Sequence, residues 1–390
     1  MSEVVVLGAG FGGLEISSLL SQAFGEDADV VLIDHSEDFV FGFSKLDVMF
    51  GKAPADHVRH RYQDIVNPGV RFVQAEVTAI DPVTRRVDTT AGSFTGEDLV
   101  IALGADLAPD TVPGLETDGN EFYSVAGAFA ARDVIASFGG GRVVVGVTST
   151  PFKCPPAPSE TALLMHDHLV EHGLREASEI SLAMPFPVPL PPSPDTSEAL
   201  LASFAELGIN WVPGCVITSL DTERRVAVCS DGNELPYDLF LAVPPHVAPA
   251  VVIDSGLTTD GWIPVDFETL QTQWPHVYAV GDVTSVGTAK AGVFSEGQAR
   301  IVAERLIADR QRRSTGAAYD GSATCYLEFG RGRVGEVDIH FPKGEHPHGQ
   351  LHGPGTEFAA GKASFGSGHV ARWFGKQWLP LPAGSGAADG

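Results

Sequence analysis

The chain opens on an unbroken apolar run. Val4, Val5, Val6 and Leu7 lead straight into Gly8-Ala9-Gly10-Phe11-Gly12-Gly13. An apolar run this short, with no polar alternation, suits a strand buried on both faces of a parallel sheet. Leu14, Ile16, Leu19 and Leu20 then recur at helical spacing, so the pattern predicts strand, glycine turn, helix. A second apolar run, Val30-Val31-Leu32-Ile33, ends in Asp34, and the Phe- and Gly-rich stretch after it is read as a loop. Further strands are expected over 71–73, 76–80 and 86–90, and a buried one over 98–105. Pro109, Pro113 and Gly114 mark a boundary.

A second α/β pattern starts near Glu121. It has a helix over 126–138, a strand over 142–147, and a Pro-rich loop holding Cys154. A helix from about Ser159 follows, with Ser159 as its N-cap, then a strand over 180–184, a helix over 197–207 and a hairpin-like run through 238–243. The run 277–282 and a helix over 295–310 return to the first unit, and two strands joined by glycine, 325–329 and 333–341, begin a third. The fold class is therefore α/β: two Rossmann-like units plus a C-terminal α+β region. The boundaries are set at 1–115 with 255–315, 116–254 and 316–382, with a disordered tail over 383–390.

Composition narrows the function. A formal net charge of −25 over 390 residues argues against a nucleic-acid partner and against tight adsorption to anionic lipid. No run of about eighteen apolar residues exists, so no spanning helix is expected. The first strand begins at Val4, leaving no room for a signal peptide, and a cytoplasmic location is expected. Four cysteines are too few for a disulfide scaffold, and in a cytosolic chain any disulfide among them is expected to be catalytic rather than structural.

The candidate chemistry starts at the glycines. Gly8 permits a tight turn, Gly10 a close approach to a pyrophosphate, and Gly13 the packing of helix on strand. The helix N-terminus offers free N–H groups to phosphates, and Asp34 lies where a ribose hydroxyl is normally bound. The run Val277–Val280 closes on Gly281-Asp282, an acid placed to hold the ribityl hydroxyls of a flavin. Lys290-Ala291-Gly292 would bring a cation and a helix N-terminus near the flavin pyrimidine ring. The strand over 142–147 leads into GVTSTPFKCPPAPSE, without the second glycine fingerprint a nicotinamide nucleotide would require. His340, His346, His348 and His352 fit no standard tetrahedral spacing, so they are read as solvated loop residues and no metal is assigned.

The glycine loop, Ala102-Leu103-Gly104-Ala105 and Val280-Gly281-Asp282 together resemble the two-dinucleotide-domain flavoproteins of the pyridine nucleotide–disulfide oxidoreductase superfamily, over roughly residues 1–310. Within that class, Lys153-Cys154-Pro155-Pro156-Ala157-Pro158-x-Glu160 resembles the redox cysteine loop of sulfide:quinone oxidoreductases and flavocytochrome c sulfide dehydrogenases. Cys325 matches their second redox cysteine, and Lys290-Ala291-Gly292 and Glu296-Gly297-Gln298 match as well. The resemblance implies FAD, bound by Gly8, Gly10, Phe11, Gly12, Gly13, Asp34, His35, Val77, Ala102, Gly104, Gly281, Asp282, Lys290, Ala291 and Gly292. It implies Cys154 and Cys325 as the redox pair and Glu160 as a base, with sulfide or another small sulfur species as donor and a quinone as acceptor. Lys153 and the helix start after Cys154 are expected to lower a thiol pKa.

Departures from the family pattern refine this expectation. Gly42 stands where the dehydrogenases carry the cysteine that links the flavin, so FAD is expected without a covalent bond. The third cysteine of many sulfide:quinone oxidoreductases, near 124–130, is missing. Cys215 and Cys229, in strand-like runs, are read as inert. Two other functions remain as alternatives: an FAD-dependent NAD(P)H dehydrogenase, and a non-catalytic flavin-binding electron-transfer protein. The aromatic and basic segment with Trp373, Phe374, Trp378, Arg372 and Lys376 fits either a peripheral membrane contact or docking on its own domain, and the oligomeric state, monomer or homo-oligomer, is left open.

Overall fold

The computed structural model describes residues 3–380, so the tail expected over 383–390 lies outside the described residues. The chain begins with β1 (Val4–Leu7), α1 (Phe11–Phe24), β2 (Val30–Asp34), α2 (Gly42–Met49), β3 (Val70–Gln74) and β4 (Asp98–Ile101). It continues through β5 (Gly119–Glu121), α3 (Val125–Ala136), β6 (Gly141–Val147), α4 (Ala157–Glu171), β7 (Ser178–Met184), α5 (Pro194–Leu207), β8 (Ile209–Pro213) and β9 (Leu239–Val243). The last part holds β10 (Val277–Ala279), α6 (Gly292–Arg310), β11 (Ser322–Glu328), β12 (Val334–His340), β13 (His348–Gly355) and α7 (Ala359–Phe374).

Two parallel sheets carry the architecture. The first runs β3-β2-β1-β4-β10 and the second β8-β7-β6-β9-β5. Strands β1, β4 and β9 are buried along their whole length, as unbroken apolar runs require in a sheet covered on both faces. The order reverses between β1 and β4 in the first sheet and between β6 and β9 in the second, and ligands in open α/β sheets bind in the crevice at the carboxyl ends of the strands there. A three-stranded antiparallel sheet, β11-β12-β13, follows α6.

Several expectations need correction. The stretch after Asp34 is not all loop, because α2 lies in it. Leu46, Met49 and Phe50 sit at i, i+3, i+4 spacing and enter the core. Ser159 does not cap α4. That helix begins at Ala157, with Pro156 at the cap position and Ser159 already inside and fully buried. Proline suits a first helical turn because no N–H is needed there. The run near 238–243 is no hairpin but the interior parallel strand β9, between β6 and β5. His340 ends β12, and His348 and His352 lie in β13, where His340 pairs with His348, so three of the four histidines are on strands. The abundance of Gly and Pro hid that third strand from the sequence pattern.

The aromatic segment docks on the chain's own body. In α7, Val370, Trp373 and Phe374 fall on one face and are buried. The Trp373 indole N–H donates to Glu15 Oε2 at 3.1 Å, and Trp378 donates to the carbonyl of His57 at 2.9 Å. Arg372 pairs with Glu15 at 2.8 Å and Glu296 at 3.1 Å. Trp373 and Phe374 are therefore core residues and offer no surface to a membrane. Among the described residues no helix is long and apolar enough to cross one.

Candidate active site

The glycine turn lies at the switch point of the first sheet. Gly8 has φ +93°, and a Cβ there would sit 2.3 Å from the carbonyl oxygen of Ala102, at the end of the neighbouring strand β4. Only glycine adopts that backbone without strain. A Cβ on Gly13 would meet the Gly8 oxygen at 1.9 Å, whereas one on Gly10 meets nothing within 4 Å. Gly8 and Gly13 therefore hold the turn together, and Gly10 faces open space. Helix α1 starts at Phe11, and Gly10 at its N-cap position has no side chain to cap it, which leaves its first N–H groups for an anion.

A cavity of about 330 Å³ opens in front of this turn. It brings together Gly10, Phe11, Gly12, Ala102, Gly104, Gly281, Asp282, Ala291 and Gly292 with Cys154, Glu160 and Cys325. Asp282 is the acid the strand pattern singled out. Its Oδ1 is buried with no hydrogen-bond partner, and burial raises its carboxyl, opposed by Lys153, Lys290 and Lys45. A buried carboxylate oxygen left without a donor costs free energy unless a ligand hydroxyl satisfies it. The open cradle at Gly10 and this unpartnered oxygen fit a dinucleotide whose pyrophosphate lies at the turn and whose ribityl chain lies at Asp282.

Other expected cofactor residues are placed elsewhere. Gly8 and Gly13 act through packing. Asp34 accepts the Ala9 N–H at 2.7 Å and the Ser36 N–H at 2.8 Å, bracing the turn from behind. The His35 side chain is exposed, and Val77 lies in a small antiparallel meander outside the cavity lining. Lys290 is not a free cation at the cavity. Its ammonium donates to the carbonyls of Asp282 (2.5 Å) and Thr284 (3.0 Å) and stacks 3.3 Å from the Trp262 ring centroid. Burial lowers its pKa to about 8. Its carbonyl does act at the site, accepting the Cys154 N–H at 2.7 Å.

Cys154 has φ +48°, a left-handed conformation that is uncommon for a non-glycine residue. The bond to Lys290 and a 2.9 Å bond from the Ala157 N–H to its carbonyl hold it there. Strain of this kind persists only where the surroundings impose it, and it clusters at functional sites. Cys154 and Cys325 are both free thiols. Cys154 is open to the cavity, yet protein surrounds it on the scale over which charges act. Burial therefore pushes its pKa up, assisted by Glu160 and opposed by Lys45. Cys325 is pushed up to about 12 by burial, then by Glu160 and Asp338. The expected lowering of the Cys154 pKa is thus overturned, and the cation beside Cys154 is Lys45. Lys153 instead donates to the Ala105 carbonyl at 2.9 Å.

Glu160 sits in the first turn of α4, is 5% exposed, and accepts the Glu328 N–H at 2.9 Å. Burial raises its pKa to about 7, opposed by Lys362. Sequence reasoning missed Lys45, Tyr123, Lys362 and Phe365, which also line the cavity. Lys45 donates to the Tyr123 carbonyl, and burial lowers its pKa to about 8. The helical spacing of Leu46, Met49 and Phe50 was the signal that could have found it.

Cys215 and Cys229 are not a pair of inert free thiols. They form a disulfide, both 2% exposed, in the core between the second sheet and a small meander. None of the cavity-lining residues belongs to that core. The disulfide is structural, against the expectation that any disulfide here would be catalytic.

A glycine turn at a parallel-sheet switch point, facing a buried acid and two thiols, defines a dinucleotide-dependent redox enzyme. A family model described as pyridine nucleotide-disulphide oxidoreductase matches residues 2–299, and the chain belongs to that family as an FAD-dependent oxidoreductase. It is 28% identical over 342 residues to a mitochondrial sulfide:quinone oxidoreductase of Dictyostelium discoideum, covering 83% of this chain and 75% of that one. It is 25% identical over 377 residues to a sulfide-quinone reductase of Aquifex aeolicus, covering 84% and 81%. The crystal structure of the sulfide:quinone oxidoreductase from Aquifex aeolicus superposes with a TM-score of 0.82 at 20% identity, over 95% of this chain and 92% of that one, a likeness of fold.

Proposed function

We propose that the protein oxidises sulfide, or another small thiol or persulfide, through a Cys154–Cys325 pair and passes the electrons through non-covalent FAD to a quinone. The observation that carries this reading is convergence. Cys154, Glu160 and Cys325 come from a loop, the helix after it and a strand far along the chain, and they line one cavity with the glycine turn and Asp282. The sulfide:quinone oxidoreductase relatives support the substrate class.

In the oxidised pair the two cysteines share a disulfide. Hydrosulfide attacks one sulfur, a new S–S bond forms there as a persulfide, and the old bond breaks to leave a thiolate on the other cysteine. By resemblance that thiolate is Cys325. Glu160 takes the proton released by the incoming sulfide. Its pKa near 7 lets it accept a proton and give it up again at neutral pH. FAD, when bound, supplies the two-electron acceptor. No cysteine occurs over 124–130, so the persulfide sulfur passes to an external acceptor instead of growing an enzyme-bound chain.

Anaerobic titration tests the proposal. Sulfide should bleach the yellow protein, quinone should restore the colour, and NADH should do neither. Bleaching by NADH but not by sulfide would return the NAD(P)H dehydrogenase reading to first place, and no bleaching by any donor would leave a non-catalytic electron-transfer protein. Acid precipitation should release the flavin, because Gly42 offers no thiol to hold it.

A further inference from the structure

Besides the two thiols and Asp282, the cavity wall holds a knot of buried charge in which the proposed reaction uses Glu160 alone. Lys362, on α7, lines the cavity, and its ammonium pairs with Glu328 Oε1. Both side chains are nearly enclosed, 12% and 10% exposed. Glu328 Oε2 is buried without a partner. The backbone N–H of Glu328 in turn holds Glu160 Oε1. Lys362, Glu328 and Glu160 thus form a chain, and the one ammonium acts on the carboxyl groups of Glu328, Asp47 and Glu160.

We propose that Lys362 is a positioning residue that keeps Glu160 in its proton-accepting carboxylate form, with Glu328 competing for the same ammonium. The inference rests on the assignment of Glu160 as the base for incoming sulfide. The groups facing Glu160 come from every element packed around it: Lys362 from α7, Glu328 and Cys325 from β11, Asp47 from α2, Cys154 from its loop, and Tyr123 beside the cavity. Asp47 and Tyr123 are themselves pushed up by burial, which favours their neutral forms. Lys362 is the sole cation acting on Glu160 in this set, and Glu328, its ion-pair partner, acts on Glu160 in the opposite direction.

The charges give the variants opposite signs, which a merely structural role would not. Removing the ammonium in Lys362→Met leaves Glu160 harder to ionise. Its titration should move to higher pH by about one unit or more. Removing the competing carboxylate in Glu328→Gln should move it to lower pH, and Lys362→Arg, which keeps the charge, should hold it near the wild-type position. The primary readout is infrared titration of the Glu160 carboxyl in the flavin-loaded protein without sulfide, the band being identified by its loss in Glu160→Gln. The acidic limb of the sulfide-dependent rate against pH should follow the same three directions. Opposite shifts in the two charge-removing variants, with rescue by arginine, support the inference. Titrations that coincide in all variants, or that shift in one common direction, overturn it. Because the infrared readout uses no sulfide, a wild-type protein that failed to oxidise sulfide would sink the proposed function without being mistaken for a failure of the Lys362 assignment.

Discussion

Two alanine substitutions three residues apart in the glycine turn should fail in different ways. At Gly13 a Cβ would lie 1.9 Å from the Gly8 carbonyl oxygen, far inside the 3.4 Å where ordinary contact begins, and the obstacle is backbone that cannot swing aside. Overpacking of this severity costs about 3 kcal/mol or more, at the upper end of the usual range. At roughly 2 °C per kcal/mol for a large chain, Gly13→Ala should lower Tm by about 6 °C. At Gly10 a Cβ meets nothing within 4 Å, and φ −77°, ψ −163° is open to alanine. Gly10→Ala should therefore fold as well as the wild type, or gain about 0.4–1 kcal/mol through a less flexible unfolded chain. What it loses is the space a pyrophosphate would approach. The assay is thermal unfolding of flavin-stripped protein, paired with flavin content of the purified protein. Gly10→Ala should keep its Tm and lose flavin, and Gly13→Ala should lose both. A Gly10→Ala protein that retains full flavin would refute the placement of the pyrophosphate, and equal Tm losses would refute the packing argument.

Three further outcomes are expected. Asp282→Ala should lose flavin far more readily than Asp254→Ala, since Asp282 has its buried Oδ1 facing the cavity while Asp254 ends a short helix away from it; equal occupancy in the two proteins would remove Asp282 from the site. Replacing Cys215 and Cys229 together by alanine should lower stability by about 3 kcal/mol, the value expected for a closed loop of this length, and leave sulfide-dependent reduction unchanged, which urea unfolding and a rate assay would check. Glu160 has a folded pKa near 7 against an ordinary 4.5, so its ionised form is disfavoured by folding. Its effect is absent below the lower value, and the protein loses up to about 3 kcal/mol as pH rises through the window to the higher one. Glu160→Gln should flatten stability between pH 5 and 8, and slow sulfide-dependent reduction by on the order of a hundredfold; an unchanged slope would contradict its burial as an acid.

What the sequence revealed depended on whether local pattern or distant packing decides each position. The β1 turn, Asp282 and the Cys154 loop were legible because each is a local signature: an apolar run closing on glycine or an acid, or a proline-rich break before a helix. Cys325 was visible only by resemblance, since nothing around it distinguishes a buried strand thiol from a reactive one. Lys45 and Lys362 were missed for a different reason. Each is one charged residue on a helix that looked like loop or tail, and it acquires its role from groups on other elements, Tyr123 for Lys45 and Glu328 for Lys362, that only the fold brings beside it. Lys290 shows the converse error. Its position at a helix entry suggested a cation at the flavin, but the neighbouring carbonyls and Trp262 hold its ammonium. The pairing of Cys215 with Cys229 has no local signal, because it depends on the register of β-strands that fold back on one another.

The most direct test of the central claim is anaerobic sulfide titration of four purified proteins, followed by flavin absorbance. The wild type should be reduced by stoichiometric sulfide. Cys154→Ser and Cys325→Ser should each lose that reduction by several orders of magnitude, because a hydroxyl can neither form the disulfide nor carry the persulfide. The Cys215→Ala/Cys229→Ala protein should behave as the wild type. Full sulfide-dependent reduction in Cys154→Ser would contradict the mechanism.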